Sequence, residues 1–202
     1  MKKWFVCILL IILLRGCAET PHAEHSQELT LYEIRKDYPY QRIEKHHVQL
    51  TDQQISELSQ DGIEISEDEK IVVYYSMTTR RGRSELEKAF LVKGEGEHGT
   101  FMLVVDIGRT ITIQELHIVK NLAGLVGEPI IDKDFLDQFI GKDMTSSFEI
   151  AKESEDVFTT PIKIRPIRSA PIASEKIAKE LKKWLVIAKI LKRDYPIWGI
   201  EQ

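Results

Sequence analysis

Residues 99–119 read GTFMLVVDIGRTITIQELHIV. Two runs dense in β-branched and aromatic residues, near Phe101–Asp106 and Thr110–Val119, flank Ile107-Gly108-Arg109. Such residues favour strands, and the glycine between them predicts a hairpin-like turn. In the second run Ile111, Ile113, Leu116 and Ile118 do not hold one strict alternation, which a bulge near Gln114-Glu115 explains. Upstream, KIVVYYSMT (70–78) and SELEKAFLVKG (84–94) read as two more strands, joined by RRGR. Four successive strands with short turns predict an antiparallel sheet, because parallel pairing needs long crossovers.

Working outward, NLAGLVGEPIIDKDFLDQFIGKD (121–143) supplies a Gly-rich loop and then a helix. Asp132 or Asp134 caps that helix, Phe135, Leu136, Phe139 and Ile140 form its apolar stripe, and Gly141 ends it. A last helix runs from about Ala173 to Arg193. Ile177, Leu181, Trp184, Leu185, Ala188 and Leu191 recur on it at helical spacing and should pack on the sheet. On the N-terminal side Tyr38-Pro39 breaks any helix. Ile43, Val48 and Leu50 suggest an extended piece, and Thr51 is the N-cap of a short helix. The fold class is therefore α+β: an antiparallel sheet, a helix after the central strands, and a long C-terminal helix packed on the sheet.

The chain has 202 residues, 43% of them hydrophobic, which suits one domain with its own core. Charged residues make up 30% and the formal net charge is −4, without the basic excess of a nucleic-acid binder. A mean hydropathy of −0.22 excludes a polytopic membrane protein. The opening MKKWFVCILLIILLRGC has two lysines and an apolar run from Trp4 to Leu14. That run is shorter than the roughly 20 residues a spanning helix needs and matches the core of a secretory signal. Leu14-Arg15-Gly16-Cys17 resembles a bacterial lipobox, although Arg15 stands where a small or apolar residue is usual. The expectation is a signal peptide over 1–16, a lipid on Cys17, a tether over 17–30 and a domain over 31–202. The product would be a lipoprotein of the cell envelope, held to a membrane by its lipid and facing the periplasm or the exterior. Cleavage would remove Lys2, Lys3 and Arg15 and move the net charge from −4 to −7. Of the two cysteines, Cys7 and Cys17, only the lipidated one would remain, so no disulfide is expected.

No nucleophile–base constellation is present, so a carrier or binding protein fits better than a catalyst. His22 and His25 have an H-x-x-H spacing, but Pro21 precedes them and no third ligand is evident; they read as tether residues, and no metal site is assigned. His46 and His47 are neighbours on a strand and should face opposite sides. Glu67, Asp68 and Glu69 read as a solvated turn.

Residues 89–143 resemble the FMN-binding domain family, found in the G and C subunits of bacterial ion-pumping electron-transport complexes and in related flavin-carrying lipoproteins. Phe135-Leu136-Asp137-Gln138-Phe139-Ile140-Gly141-Lys142 fits the family's F-L-x-Q-F-x-G-K pattern, and Gly127-Glu128 falls at its glycine–glutamate pair. YPYQRIEKHHVQLTDQQISELS (38–59) is similar to the lead-in of its exported members. The resemblance implies a flavoprotein in extracytoplasmic electron transport with redox protein partners. The isoalloxazine would lie against the sheet and the Gly124–Glu128 loop, with its phosphate at Arg168–Ser174.

The family's attachment motif, S-G-A-T-x-[ST]-S, departs here to Arg168-Ser169-Ala170-Pro171-Ile172-Ala173-Ser174. Ala173, at the acceptor position, has no hydroxyl to esterify. Pro171 lacks an N–H donor, and Ser169 is disfavoured if the loop needs φ > 0. The helix N-terminus remains an anion-attracting element, with Arg165 and Arg168 beside it, and Ser174 reads as its N-cap. Two readings follow: FMN held without a covalent bond, or the flavin lost and the fold used as a non-redox binding or assembly module.

Overall fold

The computed structural model describes residues 35, 41–79, 85–97, 99–118, 133–152 and 163–195. The signal segment, Cys17, the tether histidines, Tyr38-Pro39, the RRGR connection, Asp132 and the Gly124–Glu128 loop lie outside the described residues. Five strands form one sheet in the order of the chain: β1 (Gln41–Gln49), β2 (Ile71–Thr79), β3 (Glu85–Gly96), β4 (Gly99–Gly108) and β5 (Ile113–Ile118). Every neighbouring pair is antiparallel. Helix α1 (Asp52–Gln60) and a 3-10 turn (Glu67–Lys70) lie between β1 and β2. Helix α2 (Lys133–Asp137) and the long α3 (Pro171–Asp194) follow the sheet. The fold is α+β, with α3 packed on β3.

Period-two geometry sorts the strand residues into two faces. Phe90, Val92, Phe101, Leu103, Val105 and Ile107 join the main core with Ile177, Leu181, Trp184, Leu185, Ala188 and Leu191 of α3, all buried. The Phe90 and Trp184 rings meet at 5.5 Å. The opposite face carries a second cluster of Tyr75, Ala89, Met102 and Val104. Because both faces of β4 are covered, residues 101–108 are buried without alternation.

The bulge falls where the broken alternation predicts it. Asp106 pairs with Glu115 and Ile107 with Ile113, which leaves Gln114 as the extra residue. A Cβ on Gly108 would stand 2.8 Å from Gln114 Nε2, so any larger residue there would have to push aside the flexible Gln114 side chain at the bulge. The hairpin turn lies later than expected. β4 continues through Gly108, and the reversal is closed by Gly108 N–H donating to Thr112 O at 3.0 Å and Ile111 N–H to Gly108 O at 2.9 Å. Ile111 takes φ 57°, a costly conformation for a β-branched residue. Its buried side chain in the main core offsets that strain.

Thr51 caps α1 in a reciprocal box: Gln54 N–H donates to Thr51 Oγ1 at 3.3 Å and Thr51 N–H to Gln54 Oε1 at 2.9 Å. α2 is shorter than its apolar pattern suggests. It ends at Asp137 and turns lead to Gly141, at φ 77°. Phe135, Leu136 and Phe139 are buried as expected, but Ile140 is 42% exposed, because the chain has left the helix by then. Asp134 sits within the first turn of α2, not before it.

Candidate functional site at the tip of helix α3

The first turn of α3 differs from its sequence reading in its cap. Ala170 is the N-cap, with no side-chain hydrogen bond, and Pro171 occupies N1. Proline suits N1, since that position's N–H has no helical partner anyway. Ser174 is one turn inside the helix, so its expected role as N-cap is corrected. Its hydroxyl is fully buried, accepts from Ile167 N–H at 2.9 Å and donates to Ala170 O at 2.8 Å. It closes the approach loop onto the helix and presents no hydroxyl to a ligand. Ser169 keeps a negative φ, since Ile111 is the only non-glycine with a positive one among the described residues. The strain expected at that serine does not arise.

The remaining tip donors, at N2 and N3, are engaged by a carboxylate of the chain itself. Glu97, beside the β3–β4 turn, accepts from Ile172 N–H through Oε1 and from Ala173 N–H through Oε2, the latter at 2.9 Å. Helix N-termini attract anions through these orphan N–H groups and the helix dipole. Here an acidic side chain supplies that anion. Ala173 is fully buried, Ile172 is 53% exposed, and Arg168 and Ser169 occupy an exposed turn just before the helix.

The segment entering the tip is held by Gln138. Arg165 N–H donates to Gln138 Oε1 at 2.8 Å, and Gln138 Nε2 donates to Arg165 O at 3.2 Å. This side chain belongs to the F-L-x-Q-F-x-G-K stretch, whose other members also have mechanical work. Phe135 and Phe139 pack edge to face at 5.3 Å. Gly141 N–H donates to Ile113 O at 2.8 Å and Ile113 N–H to Lys142 O at 2.9 Å, stitching the turn to the start of β5. Thus the stretch fixes the approach to α3 relative to the sheet. Of the residues singled out for flavin, Arg168, Ser169, Ala170, Ile172, Ala173 and Ser174 are brought together at this tip. Gly124, Gly127 and Glu128 lie outside the described residues.

No family model matches the chain, and no curated protein matches it.

Sequence reasoning missed Glu97, which sits in the polar GEGEH stretch and reads as an ordinary turn residue. It also missed a group on the far face of the sheet. Asp106, Glu115 and His117 place ligand-type atoms within 4.8 Å of one another. His117 Nε2 is 3.1 Å from Glu115 Oε2 and 3.7 Å from Asp106 Oδ2. Glu115 lies directly across from Asp106, and like charges in that relation repel. The imidazole between them offsets this when protonated. One signal was available: Asp106 is the only charge in the apolar run FMLVVDIG.

Other titratable groups are accounted for structurally. His46 Nε2 lies 2.8 Å from Ser76 Oγ and its ring stacks on Tyr74, while His47 is exposed on the other side. Glu69 is not a solvated turn residue as the sequence suggests, for it pairs with the buried Lys183, which also contacts Glu180 at 2.6 Å. Burial pushes the Glu69 carboxyl up, but the hydrogen bonds from Lys183 and Ser66 outweigh it and leave it below the usual range.

Proposed function

We propose that the protein is an envelope lipoprotein whose domain is built on an FMN-binding-like scaffold and works as a non-redox binding or assembly module. The observation that carries this reading is the Glu97 carboxylate on the N–H groups of Ile172 and Ala173. A flavin phosphate at this tip would need those same donors and would meet a like charge. Two further features point the same way. Ala173 offers no oxygen for a phosphodiester, and the only hydroxyl in the first turn of α3, that of Ser174, is buried and engaged at both of its neighbours. Fold resemblance alone does not license a cofactor; the chemistry of the tip supports the module reading.

The anchoring reading rests on the lipobox-like Leu14-Arg15-Gly16-Cys17. Among the described residues no helix is long and apolar enough to cross a membrane. The test is the intact mass of the full chain purified from cells grown with ample riboflavin. The module reading expects a lipid-modified Cys17 and no mass of FMN, before or after acid precipitation. Stoichiometric FMN released by acid would overturn it in favour of an electron carrier with reversibly held flavin.

A further inference from the structure

A groove of about 460 Å³ runs between residues 147–150 and the solvent-facing side of α3. Its apolar floor includes Phe148, Ile150 and Ala178, and Lys179 and Lys182 stand on the helix wall. The opposite wall is an extended segment. Ala151 N–H donates to Ile164 O at 2.8 Å and Ile164 N–H to Glu149 O at 2.9 Å, forming an isolated parallel bridge. In such a bridge the N–H and C=O of the central residue, Ile150, point away from Ile164. Ile150 thus keeps an edge directed away from Ile164, and it also lines the groove.

The charges on α3 are unevenly satisfied. Lys183 pairs with Glu69 and Glu180, Lys192 donates to Arg109 O at 2.8 Å, and Arg193 grips Glu57 with two hydrogen bonds. Lys176, Lys179 and Lys182 make no ion pair among the described residues, and all three are exposed. Like charges spaced three apart on a helix repel, while Glu175, four residues before Lys179, and Glu180, four after Lys176, partly offset that repulsion. On the other wall Glu149 is neutralised by Lys163 at 2.9 Å, which leaves Glu175 as the groove's remaining acid.

We infer that this groove docks an extended, acidic peptide segment of a partner protein, an inference that rests on the module reading above. Apolar side chains of the segment lie on Phe148, Ile150 and Ala178. Its carboxylates meet Lys179 and Lys182, with Lys176 extending the row. The lining, apolar at Phe148, Ile150 and Ala178 and cationic at Lys179 and Lys182, suits a peptide that alternates apolar and acidic side chains.

The test uses the full chain in detergent and a fluorescent peptide of about eight residues, alternating glutamate and leucine. NMR should map the peptide to residues 147–150 and 178–182. Lys179→Glu/Lys182→Glu should weaken binding about tenfold or more, the loss expected from two rim charges with their sign reversed. Lys189→Glu, about two turns further along α3, should leave the affinity within about twofold. Equal binding by the doubly substituted protein, or by a lysine–leucine peptide, would overturn the inference. So would an inert peptide with phosphatidylglycerol in the micelle shifting the same residues, which would assign the surface to lipid. The flavin content is read on the same sample. Retained FMN defeats the module reading, whereas a colourless protein that ignores the peptide defeats this surface alone.

Discussion

The carboxylate of Glu97 and the backbone N–H of Ala173 meet at 2.9 Å although 76 positions separate them in the chain. The contact joins the tip of the β3–β4 hairpin to the start of α3, the longest helix among the described residues. It is a cap supplied from a distance, in place of the side-chain cap that Ala170 cannot provide. Caps of this kind contribute about 0.5–2 kcal/mol. Glu97→Ala should therefore lower the unfolding free energy by about 1 kcal/mol. Glu97→Gln keeps one acceptor oxygen but loses the charge and turns an NH2 donor towards the second N–H, so it should cost a similar amount, about 0.5–2 kcal/mol. Urea unfolding followed by circular dichroism measures both, and a neutral Glu97→Ala would show that the contact contributes nothing.

Ser174 gives a second, sharper prediction. Ser174→Ala removes the acceptor of the Ile167 N–H and leaves that donor without it in a buried setting. The expected cost is about 1–3 kcal/mol. The same substitution should not change any flavin content of the purified protein, because the hydroxyl faces the loop and not a ligand. A loss of bound flavin on Ser174→Ala would show that the serine had been misassigned.

Gln138 is expected to act at a distance through Arg165. Gln138→Ala frees both backbone groups of Arg165 at once. Hydrogen exchange should rise at Arg165 and Ile167, while the strands β3 and β4 keep their protection. Stability should fall by about 1–2 kcal/mol, two modest hydrogen bonds. An unchanged exchange pattern would remove the structural explanation for the F-L-x-Q-F-x-G-K stretch.

The acid limb of the stability curve should carry the marks of Glu69 and Asp194. Both carboxyls lie below their ordinary values in the folded protein. For Glu69 burial opposes the shift, but Lys183 and Ser66 outweigh it. Asp194 is lowered to about 2 by Arg193, its largest cause, and then by Gln54. A depressed carboxyl contributes stability that is full above its unfolded pKa and lost as pH falls through its folded one. The loss should therefore begin below about pH 4.5 and continue towards pH 2. Lys183 is the mirror case. Burial lowers its ammonium, yet Glu180 and Glu69 raise it overall, so its contribution holds below the ordinary lysine pKa and fades at higher pH. Glu69→Gln should flatten the acid limb, as measured by the urea midpoint across pH; an unchanged limb would assign the pH dependence to other groups.

The parts of the fold that were legible in the sequence are those with a period. The buried stripe of α3, from Ile177 to Leu191, and the bulge at Gln114 both follow from counting apolar positions. Turn positions were less legible. Ile111 adopts a conformation that its residue type disfavours, because the core holds its side chain, and this moves the turn beyond Gly108. The tip of α3 was found by its charge and its loop chemistry, but its occupant was not. Glu97 and Ala173 are brought together by the packing of α3 on β3, which no local pattern encodes. For the same reason Ser174 read as a cap: a serine at a helix start is a common N-cap, and only the position of Pro171 at N1 moves the start one turn earlier.

The account depends on the α3 tip being closed to an external phosphate by Glu97. The most direct measurement is the visible spectrum of the full chain purified with excess FMN and then desalted. A closed tip predicts a colourless protein, with no absorbance at about 450 nm from a retained flavin. A yellow protein that keeps one FMN per chain through desalting, with Glu97 intact, would contradict it.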